Sequence, residues 1–348
     1  MIRQIKKTGL VVCVLLFSVS CDSDAKVLQE NVKESNEELD LHEDVFVVAQ
    51  DNSGDYTTLR EAFQALPNDS KTWTTIQVKR GIYEEKLVLD VHKNKVKIVG
   101  EDAESTVITW NDHTGKVVDG LTIGTYTSYT LSVQSDDVIF SNITIANDAG
   151  PSAGQAVACE TRGDKIAFFN CRLVGDQDTF FTRGDVARVY VKNSYIEGTT
   201  DYIFGPSIAV FDSCHIYSKK NSYVTAASTT EKNEYGYVFL DCKITATPQV
   251  SKLYLGRPWR SFAKTVYIRC ELPAVIIPEG WHNWSNPENE KTAYYAEYQS
   301  TGPGAAPSKR VSWSWQLTDE EVAKYTLDRI FGKDTGKKSF PENWIPSL

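Results

Sequence analysis

The sequence predicts an all-β fold, a solenoid of short parallel strands stacked along one axis, on three observations. A phrase of alternating apolar and polar residues recurs through the middle of the chain, anchored on Ile143, Cys171, Ser194, Cys214, Cys242 and Cys270. The anchors are 28, 23, 20, 28 and 28 residues apart, too short for a strand, a helix and a return crossover. Apolar residues keep fixed places around them. Phe140, Phe168, Val191, Phe211, Phe239 and Tyr267 stand three positions before, and Ile145, Leu173, Ile196, Ile216, Ile244 and Leu272 two after, as strands with one inward face require. The 348 residues would also accommodate two average domains, but one elongated repeat domain of that size is equally ordinary.

From the N-terminus, Arg3, Lys6 and Lys7 precede an apolar run from Leu10 to Val19, the length of a secretory hydrophobic region and too short to span a bilayer. Ser18, Val19 and Ser20 then lead to Cys21, which resembles a bacterial lipoprotein signal, with Ser18 where such signals usually carry Leu. Residues 1–20 are expected to be removed and Cys21 to be lipidated, tying a secreted protein to the bacterial envelope; ordinary secretory cleavage nearby is the other reading. Residues 21–45 form a polar stretch with nine acids against Lys26 and Lys33, expected to be a flexible tether. The repeat domain is expected over 46–348. Tyr56 to Leu66 reads as a short helix, with Thr57 or Thr58 as cap and Leu59, Ala62, Phe63 and Leu66 on one face, closing the open end of the stack. Thr318 to Phe331 reads as a second helix capped by Thr318.

Net charge is −9, with the acidic tether holding most of it, and no basic stripe is present to neutralise phosphates, so nucleic acid is a poor partner. A polyanion would have to be held by local contacts. Once Cys13 leaves with the signal and Cys21 is lipidated, five cysteines remain. An odd number without CxxC argues against a zinc site and a full disulfide framework. Stacked coils would space cysteines at about 4.8 Å, beyond the ~3.8 Å Cβ separation of a disulfide, so free buried thiols are expected.

Five histidines lie far apart without HExxH, so neither metal nor cofactor is expected. Gly150 to Gly154 spells GxSxG, but a nucleophile elbow needs a strand before and a helix after, whereas Pro151 adjoins the serine and Gln155 to Ala158 read as strand. The segment is expected to be a loop. A better constellation follows from the repeat. Gln155, Asp178 and Asp201 are separated by 23 and 23 residues, and the two aspartates each lie seven after the anchors Cys171 and Ser194. They should stand one strand spacing apart on successive coils, with Gln155 in the same line. Carboxylates that close cannot both ionise easily: one should be pushed up, while a cation holds the other down, and Arg257 is the obvious cation.

The residues reached so far resemble those of the pectin methylesterases, from about Val47 to Trp313. The resemblance is carried by DNSGDY at Asp51–Tyr56, GIYEE at Gly81–Glu85, QAVA at Gln155–Ala158, GDQDT at Gly175–Thr179, DYIFG at Asp201–Gly205, LGRPW at Leu255–Trp259, PEGWHNW at Pro278–Trp284 and YYAEYQSTGPG at Tyr294–Gly304. It implies a right-handed parallel β-helix, the single-stranded, pectin-lyase-like kind of solenoid, and an enzyme that takes methyl esters off homogalacturonan without a cofactor. It further implies Asp201 as nucleophile, Asp178 as general acid and base, Gln177 and Gln155 as donors to the oxyanion, Arg257 as the partner of Asp201, and Trp259, Phe204 and Phe181 as the sugar-binding cleft. Asp176 departs from the Tyr of many plant members and would be expected to repel a demethylated neighbour; Tyr202 and Phe180 replace Phe and Leu. Two rival readings remain: an acyl thioesterase using the same dyad, which Trp259, Trp281 and Trp284 disfavour, and a surface solenoid that binds polysaccharide without turnover, which has no use for the dyad. A monomer is the expected state.

Overall fold

The computed structural model describes residues 43–332. The expected signal, Cys21, all but the last residues of the expected tether, and the residues after 332 lie outside the described residues. Three parallel sheets make up the fold. An eleven-stranded sheet runs from Asp44–Val48 to Trp315–Gln316, a seven-stranded sheet from Gly81–Glu84 to Lys243–Ala246, and another seven-stranded sheet from Leu87–Leu89 to Tyr254–Gly256. The chain visits the three in turn, which makes each circuit one coil of a parallel β-helix. Only the hairpin Val117–Val118 with Leu121–Thr122 pairs antiparallel among the described strands. The first strand starts at Asp44, slightly before the domain boundary expected at 46, because Asp44 and Val45 already pair with Thr74 and Thr75.

The repeat is the register of these sheets. Phe140, Phe168, Val191, Phe211, Phe239 and Tyr267 lie opposite one another in the first sheet, and Ile145, Leu173, Ile196, Ile216 and Ile244 in the second. Aromatic neighbours then stack: the rings of Phe211 and Phe239 lie 4.5 Å apart and those of Phe239 and Tyr267 4.3 Å apart, nearly parallel.

The anchors sit at the corner between first and second sheets. Each is preceded by a left-handed residue, Asn142, Asn170, Asn193, Ser213, Asp241 or Arg269, with φ of 49 to 54°. One such residue turns the chain while leaving its neighbour pointing inward, and Asn, Asp and Ser tolerate that conformation better than bulky residues. Arg269 is the exception, held by a bidentate pair with Asp241 one coil earlier, at 2.8 and 2.6 Å. The buried cysteines are free thiols. Cys214 and Cys242 donate to the carbonyls of Val191 and Phe211 on the preceding coil at 3.3 and 3.2 Å, and burial pushes the Cys171 thiol up to about 12. Cys159 stands apart from this ladder, on the third sheet between Leu131 and Phe180.

The first helix spans Leu59–Ala65, shorter than expected because Thr58 is its cap: the Thr58 hydroxyl accepts from the Glu61 amide and the Glu61 carboxylate accepts from the Thr58 amide. Leu59, Ala62, Phe63 and Leu66 join the interior with Val48, Leu87 and Leu89, so the helix plugs the first coil. Glu85, the last residue of GIYEE, accepts from the amides of Leu59 and Arg60 at 2.9 and 3.0 Å, a carboxylate placed on the helix N-terminus. The C-terminal segment differs from expectation, as two helices, Asp319–Val322 and Leu327–Gly332. Thr318 caps the first as expected, but the Thr326 hydroxyl accepts from the Arg329 amide and begins a new turn. Ile330 and Phe331 then pack on the outer side of the first sheet with Tyr190 and Val210.

Candidate active site

The site is built on the outer side of the third sheet. Along Phe180–Thr182 and Ile203–Gly205 the side chains alternate, so Phe180 and Ile203 fill the interior while Phe181 and Phe204 face outward, in register with each other and with Ala226. Two residues before each strand, at the corner leading into it, stand Asp178 and Asp201, both left-handed with φ of 66 and 51°. Their amides donate to Thr200 and Tyr223 carbonyls on the following coils at 3.1 and 2.9 Å. Since Phe180 pairs with Ile203, the two aspartates occupy equivalent positions on neighbouring coils, one strand spacing of about 4.8 Å apart.

Both carboxyls open into one cleft of about 310 Å³, lined also by Gln155, Gln177, Phe204, Arg257, Trp259 and Trp284. Phe181 lies beside this floor, its ring flat against Phe204 at 4.2 Å, and Trp259 meets the two phenylalanines edge-on at 6.3 and 5.9 Å. All the residues expected at the site are therefore brought together. One alignment is different: Gln155 pairs with Gln177, not Asp178. The coil carrying Gln155 takes 14 residues from Ile145 to Cys159 where the next takes 7 from Leu173 to Phe180, so the two coils are not equivalent here, and Cys159 meets Phe180 where the 23-residue phase would bring it to Thr182. The result sets two amide side chains next to each other at the edge of the dyad.

Arg257 pairs with Asp201 through two bonds, Nε to Oδ1 at 3.0 Å and Nη2 to Oδ2 at 2.7 Å. Gly256 before it could be no larger, for a Cβ would fall 2.0 Å from Thr225 Oγ1. Gly205, closing DYIFG, has φ of 126° and would put a Cβ 2.1 Å from the Thr182 carbonyl oxygen.

Burial, followed by the charge of Asp201, pushes the Asp178 carboxyl well above the usual carboxylate range, against the opposing pull of Arg257 and of a hydrogen bond from Gln177. Burial also raises Asp201, and the Arg257 pair limits that rise. The expected asymmetry is present, but Arg257 does not hold Asp201 below its ordinary value, because desolvation of the carboxylate is the larger effect. At a pH between the two, Asp178 keeps a proton that Asp201 has lost.

Some expectations are corrected. Asp176 does not face the cleft as a free charge: it is buried and paired with Lys219 at 3.0 Å, which also binds Glu197. Its charge is compensated inside the wall. Trp281 is an interior residue, packed on Tyr295 at 4.5 Å, and only Trp284 of that pair reaches the cleft. Residues 150–154 form a partly exposed turn with no helix after it, as expected for a loop. Sequence reasoning missed Thr125 and Tyr126, which line the cleft from the segment after the antiparallel hairpin. They lie outside the repeat, so its phase gave no signal for them.

The family profile described as Pectinesterase matches residues 45–334. The chain is 39% identical over 284 residues to Pectinesterase 31 of Arabidopsis thaliana, an alignment covering 80% of this chain and 89% of that one. Among solved structures it is similar to pectin methylesterase from carrot, with a TM-score of 0.77, 35% identity, and 82% of this chain and 92% of that one covered. It is also similar to a pectin methylesterase in complex with a hexasaccharide, at a TM-score of 0.73 and 27% identity, covering 83% and 97%.

Proposed function

The chain belongs to the pectinesterase family, and from that membership we propose how its own residues hydrolyse the methyl esters of pectin to pectate and methanol. Asp201, kept ionised by Arg257, attacks the ester carbonyl carbon of a methylated galacturonate unit. The carbonyl oxygen becomes a tetrahedral oxyanion, to which the Gln177 and Gln155 amides donate; donors of this kind contribute about 3 to 4 kcal/mol when one is removed. Asp178 gives its proton to the departing methoxide, which leaves as methanol, and an acyl-enzyme anhydride on Asp201 remains. Asp178, now a carboxylate, takes a proton from water, the resulting hydroxide attacks the acyl carbon, and Asp201 departs as carboxylate with Asp178 protonated again. Phe204, Phe181 and Trp259 offer apolar faces to the pyranose rings, and the chain works as a monomer.

The observation that carries this reading is the pair of in-register carboxyls with unequal proton affinity, one gripped by an arginine, beside an aromatic floor. Methanol release from highly methylated pectin tests it. Asp201→Ala and Asp178→Asn are each expected to lose more than about tenfold in kcat, since each acid is asked for more than ~1.4 kcal/mol. Either variant retaining more than a tenth of the activity would sink the assignment. An acyl thioester assayed alongside decides the rival substrate, and turnover exceeding that on pectin would favour the thioesterase. We also propose that the chain is secreted and held at the bacterial envelope through lipid on Cys21, with the acidic stretch after it as spacer; the basic and apolar residues before Cys21 support this.

A further inference from the structure

Arg257 has neighbours that its bond to Asp201 does not explain. Its guanidinium lies between two ring faces, 3.9 Å from the centroid of Tyr223 and 3.7 Å from that of Trp284. Tyr223 is fixed from its other side, stacked on Tyr254 at 5.0 Å, with His282 5.4 Å from both rings. Its position follows from the coil register: the Asp201 amide donates to the Tyr223 carbonyl, and Tyr223 pairs with Tyr254, so the Asp178 and Asp201 column continues directly into two tyrosines. Trp284 arrives from a different segment, in a left-handed conformation with φ of 62°, its amide donating to His282 Nδ1 at 3.0 Å.

An arginine side chain with several rotatable bonds keeps a two-point pair only if something holds its plane. We propose that Tyr223 is a positioning residue for the ester hydrolysis, its ring acting with that of Trp284 as a clamp that fixes the guanidinium plane of Arg257 against both carboxylate oxygens of Asp201. The inference rests on the Asp201 and Arg257 roles above. Tyr223 does not line the cleft, so its contribution is to the reactivity of Asp201 and not to sugar affinity. The charged and titratable groups facing this clamp are Asp201 and Asp178 on the cleft side and His282 and Lys252 behind the tyrosines.

The test uses the full chain, with kcat and KM for methanol release measured across pH for Tyr223→Leu, Tyr223→Phe, Arg257→Ala and the double variant Tyr223→Leu, Arg257→Ala. Tyr223→Leu is expected to lower kcat about tenfold with KM within about twofold, and to move the acidic limb of the profile to higher pH. Tyr223→Phe, which keeps the ring face, returns the limb toward the wild-type position. In the Arg257→Ala background the Leu substitution is expected to cost nothing further, because the group it holds is gone. Should Tyr223→Leu fail to fold, Tyr223→Val, suited to a strand, is read in the same way. A Tyr223→Leu profile superimposable on wild type, or an equal loss in the Arg257→Ala background, overturns the clamp while leaving the Asp201 and Arg257 roles standing. An Arg257→Ala enzyme whose acidic limb does not move overturns those roles, and the clamp with them.

Discussion

At the residue scale, the dyad carries a cost in stability that can be read separately from its chemistry. Asp178 keeps its proton in the folded chain at pH values where the unfolded chain, with a carboxyl near 3.9, has released it. The native state then binds more protons, so stability falls as pH rises above the ordinary carboxylate value and through the raised native one. Asparagine has no proton to surrender. Asp178→Asn is therefore expected to melt higher than wild type at neutral pH, by about 2 °C or more, with the difference vanishing near pH 4 and below. Melting curves at the two pH values check this, and a gap that is the same at both would show that burial does not hold the proton on Asp178. The same substitution removes the acid that methanol departure requires, so stability and activity should move in opposite directions.

At the element scale, the ends of the solenoid hold together through caps. Glu85 leaves the coil next to the first helix and takes two of its free amide hydrogens, from Leu59 and Arg60. Replacing it by Ala exposes both donors and removes a negative charge from the helix N-terminus, which typically costs about 1 kcal/mol. Glu85→Ala is expected to lower Tm by about 2 to 4 °C and to leave kcat on pectin unchanged, since the helix plugs the first coil and the cleft lies several coils on. An unaltered Tm would mean that water serves those amides as well as the carboxylate does. The C-terminal helices show why elements at the ends were harder to read than those in the middle. Thr318, Glu320, Glu321, Ile330 and Phe331 all suit one helix, and the break at Thr326 depends on the Arg329 amide donating to the Thr326 hydroxyl, a bond that many helical threonines never make. The left-handed corners, in contrast, carry a mark of their own, since Asn142, Asn170 and Asn193 each precede an inward anchor, although it was the apolar residues three before and two after the anchors that made the phrase visible.

At the scale of the whole molecule, an acidic domain acting on an acidic polymer cannot rely on its overall field to bring substrate in. Attachment to a surface would do part of that work by holding the enzyme where polymer accumulates. If Cys21 is lipidated, Cys21→Ser is expected to move the protein from the membrane fraction to the soluble fraction and to abolish labelling by a radioactive fatty acid, with specific activity on soluble pectin intact. Membrane association that survives the substitution would remove the anchor from the account. The apolar hairpin at Val117–Val118 and Leu121–Thr122 belongs to this scale as well, since it carries exposed Val117 and Leu121 on a segment leading to cleft residues Thr125 and Tyr126.

What the sequence by itself determined was the winding. Equivalent side chains must recur at one phase for a solenoid to bury them, so Phe140 through Tyr267 and Ile145 through Leu272 disclosed both the coils and the placing of Asp178 over Asp201. Three-dimensional packing decided what lies across coils of unequal length or outside the repeat: that Gln155 meets Gln177, that Lys219 neutralises Asp176 within the wall, that Trp281 turns inward while Trp284 turns to Arg257, and that burial outweighs the arginine at Asp201. Phase along a chain reports neighbours along the axis. Contacts made around the circumference, between segments whose lengths no rule constrains, are set only when the backbone closes on itself and each buried charge finds or fails to find a partner.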